Sequence, residues 1–204
     1  MKRIALTFDD GPSDWTPEIL RLLGEHDARA TFFVLGEWVA RRPALTREIA
    51  EAGHDLGNHT FTHADLPDLD DDAIEDELAR TSAAIAAATG NGPRLFRAPA
   101  FRKDARVLDV VARVGLVDVG CSVNPEDWRA ERTADAIVDS VLAGAQPRAI
   151  VDLHDGFPPY WSQARRDCGP TVEAVRRLVP ELQRQGYELV TVTELLSAVP
   201  AEPD

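Results

Sequence analysis

Two adjacent carboxylates, Asp9 and Asp10, close the apolar run RIALTF and are followed at once by Gly11 and Pro12. Farther on, NHTFTH sets His59 and His63 four residues apart after a third apolar run. Arg97 ends a fourth run, Asp127 and Trp128 follow a fifth, and His154 with Asp155 ends a sixth. Acids, imidazoles and a guanidinium are the groups that bind divalent metals and move protons. Two histidines plus one carboxylate leave coordination positions open for water and substrate, as catalytic rather than structural metal sites require. On a helical turn, the spacing of His59 and His63 puts both imidazoles on one face. Neighbouring strand side chains point to opposite faces, so the two acids at 9 and 10 can have different work. One can bind the metal while the other serves as general base on a water. Arg97 could hold that base ionised, because a nearby cation lowers a carboxylate pKa. His154 is a candidate general acid whose pKa Asp127 would raise by charge pairing. Each residue also has a plainer reading: a chance histidine pair, a surface ion pair for Arg97, a core histidine, a helix cap at Asp127. Five matching run ends carrying such groups together favour a site. His26 and His54 lie outside the pattern and read as structural or solvated.

The elements that must position these residues alternate along the chain. Residues 3–8 read as a buried strand, and Thr16-Pro17 opens a helix with Thr as N-cap and Pro in its first turn. ATFFVL (30–35) is a second strand, followed by a helix from about 37 to 52 that stops at Gly53. HDLGNHT is a short strand running into a polar turn. DDDAIEDELARTSAAIAAATG is a long helix, acidic at its start and ended by Gly90. RLFRAP, GLVDVGCSV, AIVDLHD and YELVTV read as four further strands. Helices are expected over 104–114, 133–143 and 171–185, with a short closing helix from 193 and a kink at Pro180. Strand–helix alternation argues for parallel strands wrapped by helices, in an open sheet or a barrel. Parallel folds build their sites at the carboxyl ends of the strands, where the unusual residues fall.

With 204 residues and no repeat, low-complexity segment or linker, a single domain over 1–204 is expected. A net charge of −13 and no basic run disfavour nucleic acid and anionic membrane surfaces as partners. No apolar run approaches the ~20 residues that span a bilayer. Nothing at the start of the sequence resembles a signal peptide, so a cytoplasmic location is expected of the chain as written, and secretion if it is a trimmed form. Two cysteines, Cys121 and Cys168, are too few and too distant for a disulfide framework and read as free thiols.

LTFDDGPS with HTFTH at this spacing resembles the polysaccharide deacetylases, metal-dependent carbohydrate esterases that share the NodB homology domain. The resemblance extends to the closing GYELVTVTELL. It implies an α/β fold, a distorted (β/α) barrel of about seven or eight parallel strands. It also implies one divalent ion, zinc or cobalt, held by Asp10, His59 and His63. Asp9 would be the catalytic base, oriented by Arg97, and His154 the acid, with Asp127 as its partner. The Ala100 backbone N–H would help hold the oxyanion, Trp128 would form pocket wall, and Leu153 would line the acetyl pocket. The implied substrate is an N-acetylated amino sugar, in an oligo- or polysaccharide or a small conjugate. Alternatives are deacylation or deformylation of another small amide, or a carbohydrate-binding relative without activity. A phosphoryl-transfer hydrolase with an aspartyl nucleophile would want Asp-x-Asp, whereas here the acids are adjacent. A glycosidase needs a second carboxylate that the sequence does not nominate.

The sequence departs from the family at three places. Arg97-Ala98-Pro99-Ala100-Phe101 replaces a motif usually close to Arg-Pro-Pro-Tyr-Gly. Cys121 and Asn124 stand where the fourth motif often has Trp and Asp. FPPYWSQARRDCG follows His154 in place of a short Gly/Ser-rich link. In that segment Phe157, Tyr160, Trp161, Arg165 and Arg166 could line a cleft or form a lid, or the loop could simply cover the barrel. The sequence leaves the oligomeric state open.

Overall fold

The computed structural model describes residues 2–162 and 167–197. Arg165 and Arg166 lie outside the described residues. Strand β1 (Lys2–Asp9) is the hub of the sheet, because it alone among the described strands pairs with three others. On one side its residues Ala5–Asp9 run parallel to β6 (Ile150–His154). On the other, Thr7–Asp9 pair with β2 (Thr31–Val34). From β2 the sheet continues through β3 (Asp55–Asn58), β4 (Leu95–Phe96) and β5 (Val117–Asp118), every pairing parallel. A single parallel bridge from Val123 to Val151 carries the chain beyond β5 onto the free edge of β6. The sheet thereby curls into a half-closed barrel of seven strands among the described residues, as expected.

The seventh strand, β7 (Tyr187–Leu189), pairs with Lys2–Ile4 of β1. The Leu189 carbonyl also accepts from Arg29 N–H just ahead of β2, so β7 wedges between the amino ends of β1 and β2.

Strand alternation sorts side chains to two faces. Ile4, Leu6 and Phe8 join the large apolar cluster under the outer helices, whereas Ala5 packs inside. The interior floor is apolar: Ala5, Phe33, Leu95 and Val119 meet Val190, Val192 and Leu195 from the chain end. Helix α8 (Val192–Ser197) supplies two of these and is tied in by Val192 N–H donating to Thr31 Oγ1 at 2.9 Å. Above the floor the inward positions become polar, at Thr7, Asp9, Arg97 and Asp152.

The outer helices are α1 (Thr16–Gly24), α2 (Gly36–Arg41), α3 (Pro43–Glu51), α4 (Asp71–Thr89), α5 (Ala105–Arg113), α6 (Ala134–Gly144) and α7 (Gly169–Arg184). Asp70, Asp104 and Thr133 cap α4, α5 and α6 with side-chain oxygens, and Gly90 ends α4 in the left-handed conformation.

Three local expectations change. The helix expected over 37–52 is two helices, because Pro43 forces Arg42 out of helical geometry (φ −132°, ψ 54°). Thr16 is the first residue of α1 rather than its N-cap, which is Trp15. The Thr16 hydroxyl is engaged instead by the buried Asp155 carboxylate and by Ser13 N–H. Helix α7 begins at Gly169 and is continuous through Pro180.

Gly57 on β3 leaves room for the Phe33 ring, since a Cβ there would lie 2.3 Å from a ring carbon. Gly57→Ala therefore overpacks the barrel interior and should lower stability by about 1–3 kcal/mol, read as a shifted urea midpoint at constant slope.

Candidate metal and catalytic site

The polar ends of β1, β3, β4 and β6 meet in one cavity of about 240 Å³. Asp9, Asp10, His59, His63, Asp152 and His154 contribute its polar wall. Asp10 leaves the strand with φ +70°, so its carboxylate does not go to the opposite face from Asp9. Both acids approach the same imidazole: His59 Nε2 is 3.4 Å from Asp10 Oδ1 and 3.7 Å from Asp9 Oδ2. The two acids are instead distinguished by their partners.

Asp9 has a cation. Arg97 Nη1 donates to Asp9 Oδ1 at 2.8 Å, to Thr7 Oγ1 at 2.7 Å and to Asp152 Oδ1 at 3.1 Å. Burial alone would raise the Asp9 pKa, but Arg97, with His59 and His154, outweighs it and holds the carboxyl below its usual range. Arg97 is itself fully buried, its guanidinium 4.2 Å over the Phe33 ring and its remaining N–H groups on the Val119 and Gly120 carbonyls. It is not a surface ion pair.

Among the described residues Asp10 has no such cation. Burial and the charges of Asp9, Asp155 and Asp152 push its pKa well up, against the opposing pull of His154. Among the described residues its buried Oδ1 has no hydrogen-bond partner. His63 Nε2 lies 3.4 Å from that same oxygen. The outer nitrogens are engaged, His59 Nδ1 donating to the Arg97 carbonyl at 2.8 Å and His63 Nδ1 meeting the Tyr160 hydroxyl at 2.9 Å. With Nδ1 carrying the proton, both Nε2 lone pairs face an orphaned carboxylate oxygen, an arrangement that a divalent cation would satisfy. Burial lowers the pKa of both histidines, His63 to about 3, which favours the neutral, ligating imidazole. The expected trio thus fits a metal, though not through a helix. Residues 59–63 form an irregular loop with Thr60 and His63 at positive φ.

His154 stands on the other wall. Its Nδ1 meets Asp127 Oδ1 at 2.8 Å, while Asp127 Oδ2 accepts from His154 N–H and the Thr171 hydroxyl, each at 2.8 Å. Burial would lower the His154 pKa, but Asp127 outweighs it and the pKa is raised well above the ordinary histidine value. Ala100, in left-handed conformation (φ 49°), and Trp128 line the cavity. Leu153 does not: it is fully buried in the apolar cluster on the outer face of the sheet. His54, outside the site, accepts from Ala30 N–H, and Cys121 and Cys168 are free thiols.

The sequence reading missed Asp152. It lies two residues before His154 and so shares its face of β6, where burial and Asp9 push it up to about 7. The VDLH alternation carried that signal. Asp155 was noted only as a strand end, yet its carboxylate occupies the space beside Gly11, where a Cβ would fall 2.3 Å from an oxygen. The segment after β6 covers the site rather than standing off it. Pro158 and Trp161 line the cavity, Phe157 stacks on Trp161, and Trp38 Nε1 donates to the Phe157 carbonyl at 3.0 Å.

The half-closed parallel barrel brings an Asp–His–His trio, a cation-paired acid and a histidine–aspartate pair to one rim, the donor set and proton-transfer groups that metal-assisted hydrolysis uses. The family model described as polysaccharide deacetylase matches residues 1–119. A chitooligosaccharide deacetylase of Bradyrhizobium sp. (strain ANU 289) is 42% identical over 199 residues, covering 95% of this chain and 90% of that one. A peptidoglycan-N-acetylglucosamine deacetylase of Bacillus cereus is 36% identical over 198 residues, covering 96% and 88%. Among solved structures, a family 4 carbohydrate esterase from Streptomyces lividans in complex with acetate superposes with TM-score 0.84 at 32% identity, covering 100% of this chain and 98% of that one. The chain belongs to the polysaccharide deacetylase family.

Removing the Arg97 charge would strand two carboxylates inside the barrel. Arg97→Met should destabilise the fold by about 3–5 kcal/mol, measured by chemical denaturation.

Proposed function

We propose that this site removes the acetyl group from the nitrogen of an N-acetylglucosamine unit in a short oligosaccharide, leaving acetate and a free amine. The observation that carries this reading is the pairing of Asp9 with Arg97 and of His154 with Asp127 across one cavity. One group is kept ionised and the other protonated, as a base and an acid must be at neutral pH. Asp10, His59 and His63 hold the metal, and their two-nitrogen, one-oxygen donor set suits zinc, with cobalt(II) accepted in the same place. When bound, the ion supplies Lewis-acid polarisation of the amide carbonyl and of a water.

The chain's own groups do the rest. Asp9 takes a proton from the attacking water through the carboxylate that Arg97 fixes in place. The Ala100 backbone N–H donates to the oxygen on which negative charge develops. His154 then gives its proton to the departing nitrogen, which would otherwise leave as an amide anion. Asp127 holds the imidazole in the tautomer and orientation for that transfer. Aromatic walls from Phe101, Trp128 and Trp161 suit the C–H face of a pyranose ring, and the chitooligosaccharide relative supports a sugar oligomer as substrate.

Acetate release from N-acetylglucosamine oligomers, followed with and without complete chelation, tests the reading. Activity that survives removal of all metal would refute it. Asp9→Asn should keep its metal yet lose about 10²–10⁴-fold in kcat, whereas a carbohydrate-binding relative would show no turnover to lose.

The acid also predicts a pH effect. His154 is protonated below its raised pKa, so the alkaline limb of the wild-type rate lies above the ordinary histidine range. Asp127→Asn removes the charge that raises that pKa and should move the alkaline limb of the kcat profile to lower pH. An unmoved limb would remove His154 from the acid role.

A further inference from the structure

The segment after β6 reaches across the cavity from the carboxyl end of one strand to the loop that follows another. Three contacts anchor it: Trp38 Nε1 on the Phe157 carbonyl, the Phe157–Trp161 stack at 5.5 Å, and a turn closed by Trp161 N–H on the Pro158 carbonyl at 3.0 Å. These hold Tyr160 between them. Although its side chain is 66% exposed, its hydroxyl is placed 2.9 Å from His63 Nδ1, with the two rings 6.1 Å apart and edge-on. An exposed tyrosine is free to turn into solvent, so a single directed contact to a half-buried imidazole needs a reason.

The two histidines of the trio suggest one. A ligating imidazole is oriented by the bond its other nitrogen makes. His59 has a rigid partner, the Arg97 carbonyl at the end of β4. His63 sits on an irregular loop at φ +62°, and the partner the structure gives its Nδ1 is the Tyr160 hydroxyl. That hydroxyl comes from FPPYWSQARRDCG, one of the three stretches in which this sequence departs from the family pattern.

We propose that Tyr160 is a positioning residue for the metal centre: its hydroxyl accepts from His63 Nδ1–H, fixes the ring with Nε2 toward Asp10, and joins the covering segment to the metal site. This rests on the reading that Asp10, His59 and His63 hold the metal. Because Trp161 and Pro158 of the same segment line the cavity, occupancy of the metal site and the shape of the substrate wall are mechanically linked.

The test is metal affinity, measured by chelator competition for zinc on the full chain, with the visible spectrum of the cobalt(II)-loaded protein as a second readout. Tyr160→Phe keeps the ring and removes only the oxygen. It should weaken zinc binding about tenfold, at the lower end for loss of an outer hydrogen-bond partner, and should alter the cobalt spectrum. The melting temperature of the metal-free protein should not move, since Tyr160 is exposed. Wild-type affinity and an unchanged spectrum in Tyr160→Phe would overturn the proposal, as would weakening seen only in Tyr160→Ala, which would mean that the ring acts by cover alone. His63→Ala separates the two levels. If it binds zinc as tightly as wild type, the metal reading itself fails. If it loses zinc while Tyr160→Phe does not, only the role of Tyr160 falls.

Discussion

A single buried guanidinium organises the interior of this barrel. Arg97 places one positive charge where β1, β4 and β6 converge, and the groups around it are arranged to share that charge. An unpaired cation in such a place would be severely destabilising, as would Asp9 and Asp152 without it. Its planar fork, donating to two carboxylates, a hydroxyl and two carbonyls while lying over Phe33, is work that a lysine point charge could not reproduce. The main chain of the same residue orients His59. Asp9 and His59 are therefore both positioned by one residue, through its side chain and its carbonyl respectively.

Around that charge, neighbouring acids acquire different properties without differing in kind. Asp9 is next to the guanidinium and stays ionised. Asp10, one residue on, is turned by its left-handed backbone toward two imidazole nitrogens and is left needing a cation. Asp152 faces the same guanidinium as Asp9 at longer range and titrates near 7. Position relative to one fixed charge divides the three carboxylates, as expected where the effective dielectric is low and small displacements carry large energies.

The strand ends were legible because parallel sheets place their chemistry at one rim, and the run-then-polar pattern marked β1, β3, β4 and β6 clearly. The reading erred where backbone conformation overrode side-chain periodicity. Strand alternation assigned Asp9 and Asp10 to opposite faces, and a positive φ returned them to one cavity. Helical spacing explained His59 and His63, whereas the chain reaches the same proximity by an irregular loop. Leu153 and Asp152 show the same problem in reverse. The family pattern nominated Leu153 for the pocket, but the period-2 alternation of β6 puts Asp152 inside with His154 and turns Leu153 outward. Thr16 has the composition of a cap, yet a buried carboxylate 139 residues away claims its hydroxyl. No local pattern could have announced that contact.

The wedge made by β7 has a consequence for how the molecule is built in time. Leu189 pairs with Ile4, so the slot between the first two strands stays open until β7, some 185 residues after β1 begins, has been made. Until then the lower edge of β1 presents unpaired amides, and the floor beneath the site lacks Val190, Val192 and Leu195. The nascent chain can assemble the rim that carries the chemistry well before it can seal the base. Such long-range closure slows folding and prolongs exposure of sheet edges, making the interval before β7 docks the one in which this protein is most open to association with other chains.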